Sequence, residues 1–587
     1  MKRKDNLKVN KEKENVGGIA LANGIILKSE KRDSITKISK DGKIKVKVEK
    51  HFIGKKEKFN ILESPFIRGI YNIVSQLASS KDDLKDNVKM ICDALNIKYE
   101  EEELDISVPL LVTIIILVVA LFIAIIPSLI SIPFDKYQNI VQSSLQSLIF
   151  FALLFTIVTN KALKSVLEYH GAEHKIVNAY ENLQLEEINI ENVKKESRIH
   201  RRCGSNFIDF FILITILETL FINVDNVFIK MLIIAFVTLP NISLSYELVI
   251  LLSKFPKWLS YAFYPIMAIQ YFTTKSPSDD KIKLAIYGLN AVAKDKLEIS
   301  VAKFLEKYKN ENKEIIEKSD YTLMHMLQIV SYVTNKSTNS IYISINEYML
   351  KFNEQIEIER LLDKLFKEDI PLQYITNRAY FYNEEYIVNN NVLIPREDTE
   401  ILVEKAIEYI NNYNLKDMID LCTGSGCIGI SIANNSSIEK VILSDISKEA
   451  LNVARKHISL NNVVDKVSTY HSDLLDLYIN DNILVDIIVS NPPYIKTADI
   501  KKLDKKVQKE PILALDGGIS GLDIYIKILE QARYVLNNNG YLMFEIGYDE
   551  LEDLRNIITN YTEYEFIESI KDYGGNDRVI ICKYKEE

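Results

Sequence analysis

The sequence predicts a multidomain chain: an α-helical membrane module of about four spans, then a small helical domain, then an α/β domain of Rossmann-like architecture. Three observations lead there. Long apolar runs crowd residues 106–252, apolar residues recur at helical spacing between Tyr321 and Phe366, and short apolar runs alternate with helical segments from about Asn377 onward. A chain of 587 residues also exceeds what one hydrophobic core holds, since domains run to about 100–200 residues.

Residues 1–105 read as a basic N-terminal region, with lysines dense from Lys2 to Lys58. The net charge of −9 therefore arises further along the chain and points to no nucleic-acid partner. Cys92, Cys203, Cys422, Cys427 and Cys582 lack paired spacing, which fits a reducing compartment rather than a disulfide framework. The charged N-terminus has no apolar run behind it, so no cleavable signal is expected.

Residues 106–255 form the membrane module. About 20 apolar residues span a bilayer, and four runs approach that length: 106–132 (with Pro109 and Pro127), 140–158, 207–222 and 227–252. The last two carry Asp209, Glu218, Lys230 and Glu247, so buried soluble helices fit them as well. Between the second and third runs, the loop 159–206 holds Lys161, Lys164, Lys175, Lys194, Lys195, Arg198, Arg201 and Arg202. The positive-inside rule places it in the cytoplasm. An even number of spans then puts the N-terminus and the C-terminal domain in the cytoplasm too, in a multi-pass protein of the cell membrane with the lipid bilayer as partner.

The same loop contains His170, Glu173 and His174, followed by Glu181, His200 and Cys203. If the second span continues as a helix, His170, His174 and Glu181 fall on one stripe at i, i+4 and i+11. These are ligand types for a divalent transition metal, with His200 and Cys203 as further candidates. A polar juxtamembrane helix whose histidines pair with carboxylates explains the pattern equally. Glu173 does not directly follow the first histidine, as the zinc-protease signature requires.

Val16-Gly17-Gly18, Pro65-Phe66-Ile67-Arg68-Gly69, His170 to His174, Arg198 to Gly204 and Thr273-Thr274 together resemble the YqhQ-like family of bacterial membrane proteins, over residues 16–293. The resemblance implies a membrane module with a polar cytoplasmic face and no particular reaction. Ile19-Ala20-Leu21 and Ser205 depart from the family pattern.

Residues 256–310 read as a cytoplasmic tail and linker, with Lys294–Lys318 a helical or loose connector. A helical domain is expected over 311–376 from Leu323, Met326, Leu327 and Val330 and from Ile358, Leu361, Leu362 and Leu365. Residues 377–587 then change period. Ala379–Ile387 and Val392–Ile394 suggest a hairpin, and strands are expected at Met418–Leu421, Val441–Asp445, Val467–Tyr470, Val485–Ser490, Tyr541–Ile546 and Val579–Cys582. In such a sheet the ligand lies beyond the carboxyl ends of the strands.

Those strand ends carry the chemistry. Cys422-Thr423-Gly424-Ser425-Gly426 turns from a strand into a helix, with glycines that let a ligand approach the backbone. Asp445, at the next strand end, can accept both hydroxyls of a ribose, and Asp473 follows the third strand. Asn491-Pro492-Pro493-Tyr494 follows the fourth. An amide or exocyclic nitrogen is a poor nucleophile, so its N–H groups must be held by acceptors before it attacks a methyl sulfonium. Asn491 offers a side-chain oxygen, Pro492 a carbonyl, the prolines fix the turn, and Tyr494 can wall a planar group. The pattern therefore points to a class I methyltransferase domain using S-adenosylmethionine, with either a planar amide or adenine N6 as acceptor.

Pro371 to Ile375, Leu393 to Glu400, Asn491 to Tyr494, Glu510-Pro511, Ala514-Leu515, Gly517-Gly518 through Asp523, Glu545-Ile546-Gly547 and Lys571-Asp572 with Arg578 resemble the HemK/PrmC family, over about residues 320–587. These are protein-glutamine N5-methyltransferases of peptide chain release factors. The resemblance implies transfer to the glutamine of a Gly-Gly-Gln tripeptide in class 1 release factors, in translation termination, with the helical domain gripping that protein. It also implies cofactor contacts at Cys422–Gly426, Asp445, Leu474 and Asn491, and glutamine contacts at Asn491–Tyr494. Cys422, Glu397 and Ser520 stand where the family has Gly, Pro and Asp. Two other classes remain in view: an adenine N6 methyltransferase, which would need a basic DNA face, and a membrane metal-binding or transport protein with a vestigial enzyme domain.

Overall fold

The computed structural model describes residues 15–39, 41–50 and 126–586, apart from 162, 225, 295 and 296. It divides into two compact units: residues 1–299 with 349–357, and residues 300–348 with 358–587. Residues 106–125 of the expected first span, and the Pro65–Gly69 motif, lie outside the described residues.

In the first unit the lysine-rich N-terminal stretch folds as a four-stranded antiparallel meander, which composition alone had concealed: β1 (Gly17–Leu21), β2 (Gly24–Lys28), β3 (Arg32–Ile38) and β4 (Ile44–Lys50). In β4, Ile44, Val46 and Val48 alternate with Lys45, Lys47 and Glu49, the period-2 pattern of a sheet with one wet face. The apolar face joins one core with two helices, in which Ile25 and Leu27 meet Ala172 and Ile176 from one and Ile282 and Leu289 from the other. The close approach needs glycine: the Ser34 hydroxyl donates to the Gly288 carbonyl at 2.8 Å, and a Cβ on Gly288 would stand 3.0 Å from Thr36 Oγ1.

Those helices are α2 (Lys164–Asn182) and α5 (Asp279–Ala293); α1 (Gln138–Thr159) precedes them, and α3 (Ser205–Phe221) and α4 (Val227–Lys254) lie between them in sequence. α1 ends at Thr159 and Asn160 turns extended, so α2 is a separate helix and not a continuation of the second apolar run. Among the described residues one helix, α1, is long and apolar enough to cross a membrane by length and composition, with mean hydropathy 1.8 over its window. Four spans were expected. α3 stops at 17 residues, and α4 carries Lys230, Glu247 and an internal Pro240 over its 28 residues.

The second unit opens with short helices, including α6 (Val301–Glu311) and α7 (Leu323–Thr334), and contains the end of α8 (Phe352–Lys367). Met326, Leu327 and Val330 are buried, as are Ile358, Leu361, Leu362 and Leu365, as helical spacing requires. A short hairpin follows, β5 (Ala379–Phe381) and β6 (Glu384–Tyr386), turning at Tyr382 and Asn383, both with positive φ. Val392–Ile394 forms no strand, because the Ile394 amide donates to the Glu510 carboxylate at 2.9 Å instead of to a ladder.

The main sheet has seven strands: β7 (Asp417–Leu421), β8 (Lys440–Asp445), β9 (Val467–His471), β10 (Val485–Ser490), β11 (Leu536–Glu545), β12 (Tyr564–Lys571) and β13 (Asp577–Tyr584). Their order is β9-β8-β7-β10-β11-β13-β12, with β13 antiparallel to both neighbours and the others parallel. Successive residues enter opposite cores. Met418 and Ile487 pack with α9 (Glu400–Tyr413), α10 (Cys427–Asn435) and α11 (Lys448–Leu460). Ile419 and Ile488 pack with α12 (Asp523–Ala532) and α13 (Leu551–Asn560). The central strand β7 has β8 on one side and β10 on the other, so the order reverses there. A doubly wound sheet opens its ligand crevice at that point.

Candidate active site

The carboxyl ends of β7, β8 and β10 converge on one cleft, lined among others by Cys422, Gly424, Asp445, Asp473, Leu474, Asn491 and Pro493. The loop after β7 is shaped from below by Asp420, which is fully buried and accepts from the Thr423 hydroxyl at 2.6 Å and the Gly429 amide at 2.8 Å. Burial raises its carboxyl to about 7, against the pull of those two donors. Gly424 (φ 55°) and Gly426 (φ 84°) take the left-handed conformation that glycine allows. A Cβ on Gly424 would enter open space, so the backbone there is bare to a ligand. Cys422 also has positive φ, 58°, where the family resemblance expected glycine.

Asp445 Oδ2 accepts from the Gly424 amide at 2.9 Å and Oδ1 from the Ser447 amide at 2.8 Å. Each oxygen keeps a lone pair, the requirement for holding a vicinal diol. Burial raises the Asp445 carboxyl, while the Ser447 and Gly424 amides lower it. Asp473 and Leu474 border the cleft, Leu474 with φ 47°. Thr423 and Ser425 do not face it. Thr423 is turned down to Asp420, and the Ser425 carbonyl accepts from His457 Nδ1 at 2.8 Å. His457, which sequence reading missed, accepts the Ile387 amide on Nε2 at 2.8 Å and so ties the cofactor loop to the residue after β6. Burial lowers its pKa and keeps it neutral.

At the end of β10, the Ser490 hydroxyl donates to the Leu421 carbonyl at 2.7 Å and holds the two strand ends together. Asn491 Nδ2 points to Thr399 Oγ1 at 3.4 Å, which leaves Oδ1 as the amide atom free to serve the cleft. Pro492 is buried, and Tyr494 packs partly buried against the core under the sheet. Burial, then Glu545, pushes the Tyr494 hydroxyl up to about 12. A Cβ on Gly517 would stand 2.6 Å from Tyr494 Cα and 2.7 Å from the Pro493 carbonyl, so the Gly517-Gly518 turn is what lets this segment lie close. Glu545, at the end of β11, is buried beside Thr399, Asn491 and Arg578 with one oxygen making no hydrogen bond. Glu510 is likewise buried and holds Arg396 together with the Ile394 amide. Neither acid was singled out as a site residue, because acids distant in sequence from the cofactor loop carry no spacing signal. The bare loop backbone, the doubly accepting acid and the apolar wall of Cys422 and Leu474 fit S-adenosylmethionine, whose parts are a charged amino acid, a ribose and a flat base.

The second cluster lies in the first unit. His170 and His174, one helical turn apart on α2, meet Cys203, and their ligand atoms all lie within 4.8 Å of one another. His170 Nε2 is 3.2 Å from Cys203 Sγ, and the two rings stand edge to face at 4.4 Å. Burial opposes ionisation of Cys203, yet His174 and His170 pull its thiol well below the ordinary value. Glu181 and His200 are not among those three: the His200 ring lies 6.0 Å from that of His174, but its Nε2 is turned to Glu181. Glu181 lies 3.4 Å from His200 Nε2, 3.3 Å from Arg202 and 3.7 Å from Arg201. Burial works the other way, but His200, Arg202 and Arg201 bring its carboxyl down to about 2. The helical stripe placed Glu181 with the histidines, and two arginines beyond the reach of that argument claim it.

Residues 398–514 match the family described as Methyltransferase small domain, and residues 64–295 match the family described as Protein of unknown function (DUF1385). The Release factor glutamine methyltransferase of Clostridium acetobutylicum is 38% identical over 269 residues, which cover 45% of this chain and 93% of that protein. That of Clostridium botulinum is 40% identical over 235 residues (40% of this chain, 82% of that protein). That of Thermodesulfovibrio yellowstonii is 34% identical over 275 residues (46% and 96%). With the relatives matched over most of their own length at this identity, the chain belongs, through its C-terminal part, to the release factor glutamine methyltransferase family.

Proposed function

We propose that this chain transfers a methyl group from S-adenosylmethionine to the N5 amide nitrogen of the glutamine in the Gly-Gly-Gln motif of class 1 peptide chain release factors, from an enzyme domain attached to a membrane module. The observation that carries this reading is Asn491 at the end of β10, on the same cleft as Asp445, in a chain whose relatives bear the name of that activity. Asp445 holds the ribose hydroxyls, and the loop 422–426 lies against the methionine end. Bound there, S-adenosylmethionine supplies the methyl group. Asn491 Oδ1 and the Pro492 carbonyl accept the two N–H groups of the substrate amide and aim its lone pair, while Tyr494 walls the amide plane. Methyl transfer to the amide nitrogen so held would release S-adenosylhomocysteine, and the nitrogen proton would pass to solvent. Orientation and acceptor dipoles supply the acceleration. An adenine N6 acceptor would use the same tetrapeptide, and the names of the relatives favour glutamine.

The membrane part of the reading is supported by α1 and by a set of large apolar side chains turned outward, including Phe155, Phe221, Phe228, Leu232 and Phe236. With residues 159–206 carrying the basic charge, the N-terminus, that segment and the methyltransferase domain face the cytoplasm. Tritium from labelled S-adenosylmethionine should appear in purified release factor and vanish when its Gly-Gly-Gln glutamine is replaced; label that persists in the replaced protein defeats the assignment. Protease added to sealed inverted vesicles should cut at Lys571, and protection of the C-terminus would overturn the topology.

A further inference from the structure

We propose that His170, His174 and Cys203 bind one divalent ion of the zinc class, with Glu173 beside an open coordination position. Three separate stretches build the site. α2 contributes His170, Glu173 and His174, the turn before α3 contributes Cys203, and the segments at Arg198 and Thr273 contribute backbone carbonyls.

The carbonyls are the telling part. His170 Nδ1 donates to the Thr273 carbonyl at 2.9 Å, and His174 Nδ1 donates to the Arg198 carbonyl. A ring nitrogen facing a carbonyl must carry the hydrogen, so in the neutral ring the lone pair is on Nε2 in both residues. His170 Nε2 lies 3.2 Å from the thiol, and His174, its Nδ1 committed to the Arg198 carbonyl, has Nε2 to offer the same group. Histidines that ligate metals are held in this way, with the far N–H fixed by a carbonyl or carboxylate. His174 is fully buried, and its Nε2 makes no hydrogen bond, although burying a lone pair without a partner is costly. Glu173 Oε2 lies 3.5 Å from that same Nε2, and a carboxylate oxygen, itself an acceptor, cannot satisfy a lone pair. A cation between them satisfies both.

Local sequence serves this arrangement. A Cβ on Gly171 would collide with the Lys275 carbonyl, so glycine admits the 273–275 segment against α2 and brings Thr273 to His170. Glu173 immediately precedes His174, and a helix sets it on the cluster's side as readily as a glutamate that follows the first histidine. Ideal tetrahedral zinc separates nitrogen from nitrogen by about 3.4 Å and nitrogen from sulfur by about 3.6 Å. The ligand atoms, all within 4.8 Å of one another, reach that spacing by closing the widest pair by at most about 1.2–1.4 Å and opening the His170–Cys203 pair slightly from 3.2 Å. Two imidazoles and one thiolate suit a borderline ion and leave a fourth position for water, the pattern of reactive rather than purely structural zinc centres. Glu173 is placed to accept a hydrogen bond from that water.

The full-length chain, purified in detergent, stripped with a chelator and titrated with Co(II), should take up about one ion per chain and show thiolate-to-cobalt charge transfer together with tetrahedral d–d bands. Cys203→Ser should remove the charge-transfer band, and the double substitution His170→Ala, His174→Ala should abolish uptake. Glu181→Gln should leave the band in place. Alkylation of Cys203 by iodoacetamide should be slow with zinc present and fast after chelation, a readout that needs no variant. Absence of cobalt uptake by the unsubstituted chain, uptake without a thiolate band, or alkylation indifferent to zinc would each overturn the proposal.

Discussion

The carboxylate of Asp445 accepts the backbone amide of Gly424 at 2.9 Å, so the acid that ends β8 also shapes the loop that ends β7. Asp445→Ala should therefore damage the cofactor site twice, by removing the ribose acceptor and by freeing the loop. Charge-assisted bonds contribute about 1.5–3 kcal/mol each. Calorimetry should show S-adenosylmethionine binding weakened by roughly 10²-fold, and Asp445→Asn should fall between. Unchanged affinity in Asp445→Ala would remove this acid from the cofactor site.

Asn491→Ala should impair methyl transfer far more than folding. The amide oxygen is assigned to substrate N–H groups whose charge develops as the nitrogen is methylated, so its loss is felt mainly in the transition state. Removing one preorganised partner costs about 3–4 kcal/mol, or roughly 10²–10³ in rate. Single-turnover methylation of release factor at saturating cofactor measures it, with affinity falling less than in Asp445→Ala. A near-normal rate would mean the chemistry is done elsewhere.

A fragment beginning at Ser300 should fold and bind S-adenosylmethionine unaided. It contains the whole second unit, and the Clostridium acetobutylicum relative, matched over 93% of its length by 45% of this chain, consists of little else. Circular dichroism and calorimetry on that fragment decide the matter; a folded fragment that binds nothing refutes it.

In that fragment, stability should decline as pH rises from about 4.3 to about 7. Burial lifts the Glu545 carboxyl to about 7, against the attraction of Thr399 and Arg578, so the folded chain keeps a proton that the unfolded chain has already released. The neutral form is the one the fold prefers, and its contribution is complete below the ordinary glutamate value and gone above about 7. Burial likewise raises Asp420 and Glu550 to about 7. Urea titrations at about pH 5 and about pH 8 should differ, and Glu545→Gln should narrow the difference. An identical slope in the variant would show that Glu545 is not the group responsible.

Gly426→Ala should destabilise the fragment more than Gly424→Ala. Both positions have positive φ, which costs a non-glycine residue about 1–2 kcal/mol. A Cβ on Gly426 would also press Leu443, Ala454 and Ile430 at 3.1–3.2 Å, whereas one on Gly424 meets nothing. Thermal unfolding of the two variants tests the ranking, and equal losses would show that packing around Gly426 yields freely.

The parallel strands and the ends that carry Asp445 and Asn491 were legible because strand, turn and helix follow within a few residues of one another. Strand β12 escaped because Glu565, Glu568 and Ser569 break up its apolar pattern, and only pairing with β13 makes it a strand. Glu545 and Glu510 were illegible as site residues for another reason: each acts across the fold, on Asn491 and Arg396, at separations that no local pattern encodes. In the N-terminal meander the alternation was present in Ile44, Val46 and Val48, but the lysines between them read as a charged tail.

That meander has a consequence for synthesis. Its apolar face is closed by α5, and some 230 residues of chain separate Lys50 from Asp279. At about 5–20 residues per second the ribosome needs roughly 10–50 s to deliver the covering helix. During that interval Ile25 and Leu27 have no lid from Ile282 and Leu289, while the apolar helices α1, α3 and α4 emerge between them. The meander is thus closed in two stages, first by Ala172 and Ile176 of α2 and only later by α5, and until then its apolar face and strand edges are open to pairing with a neighbour.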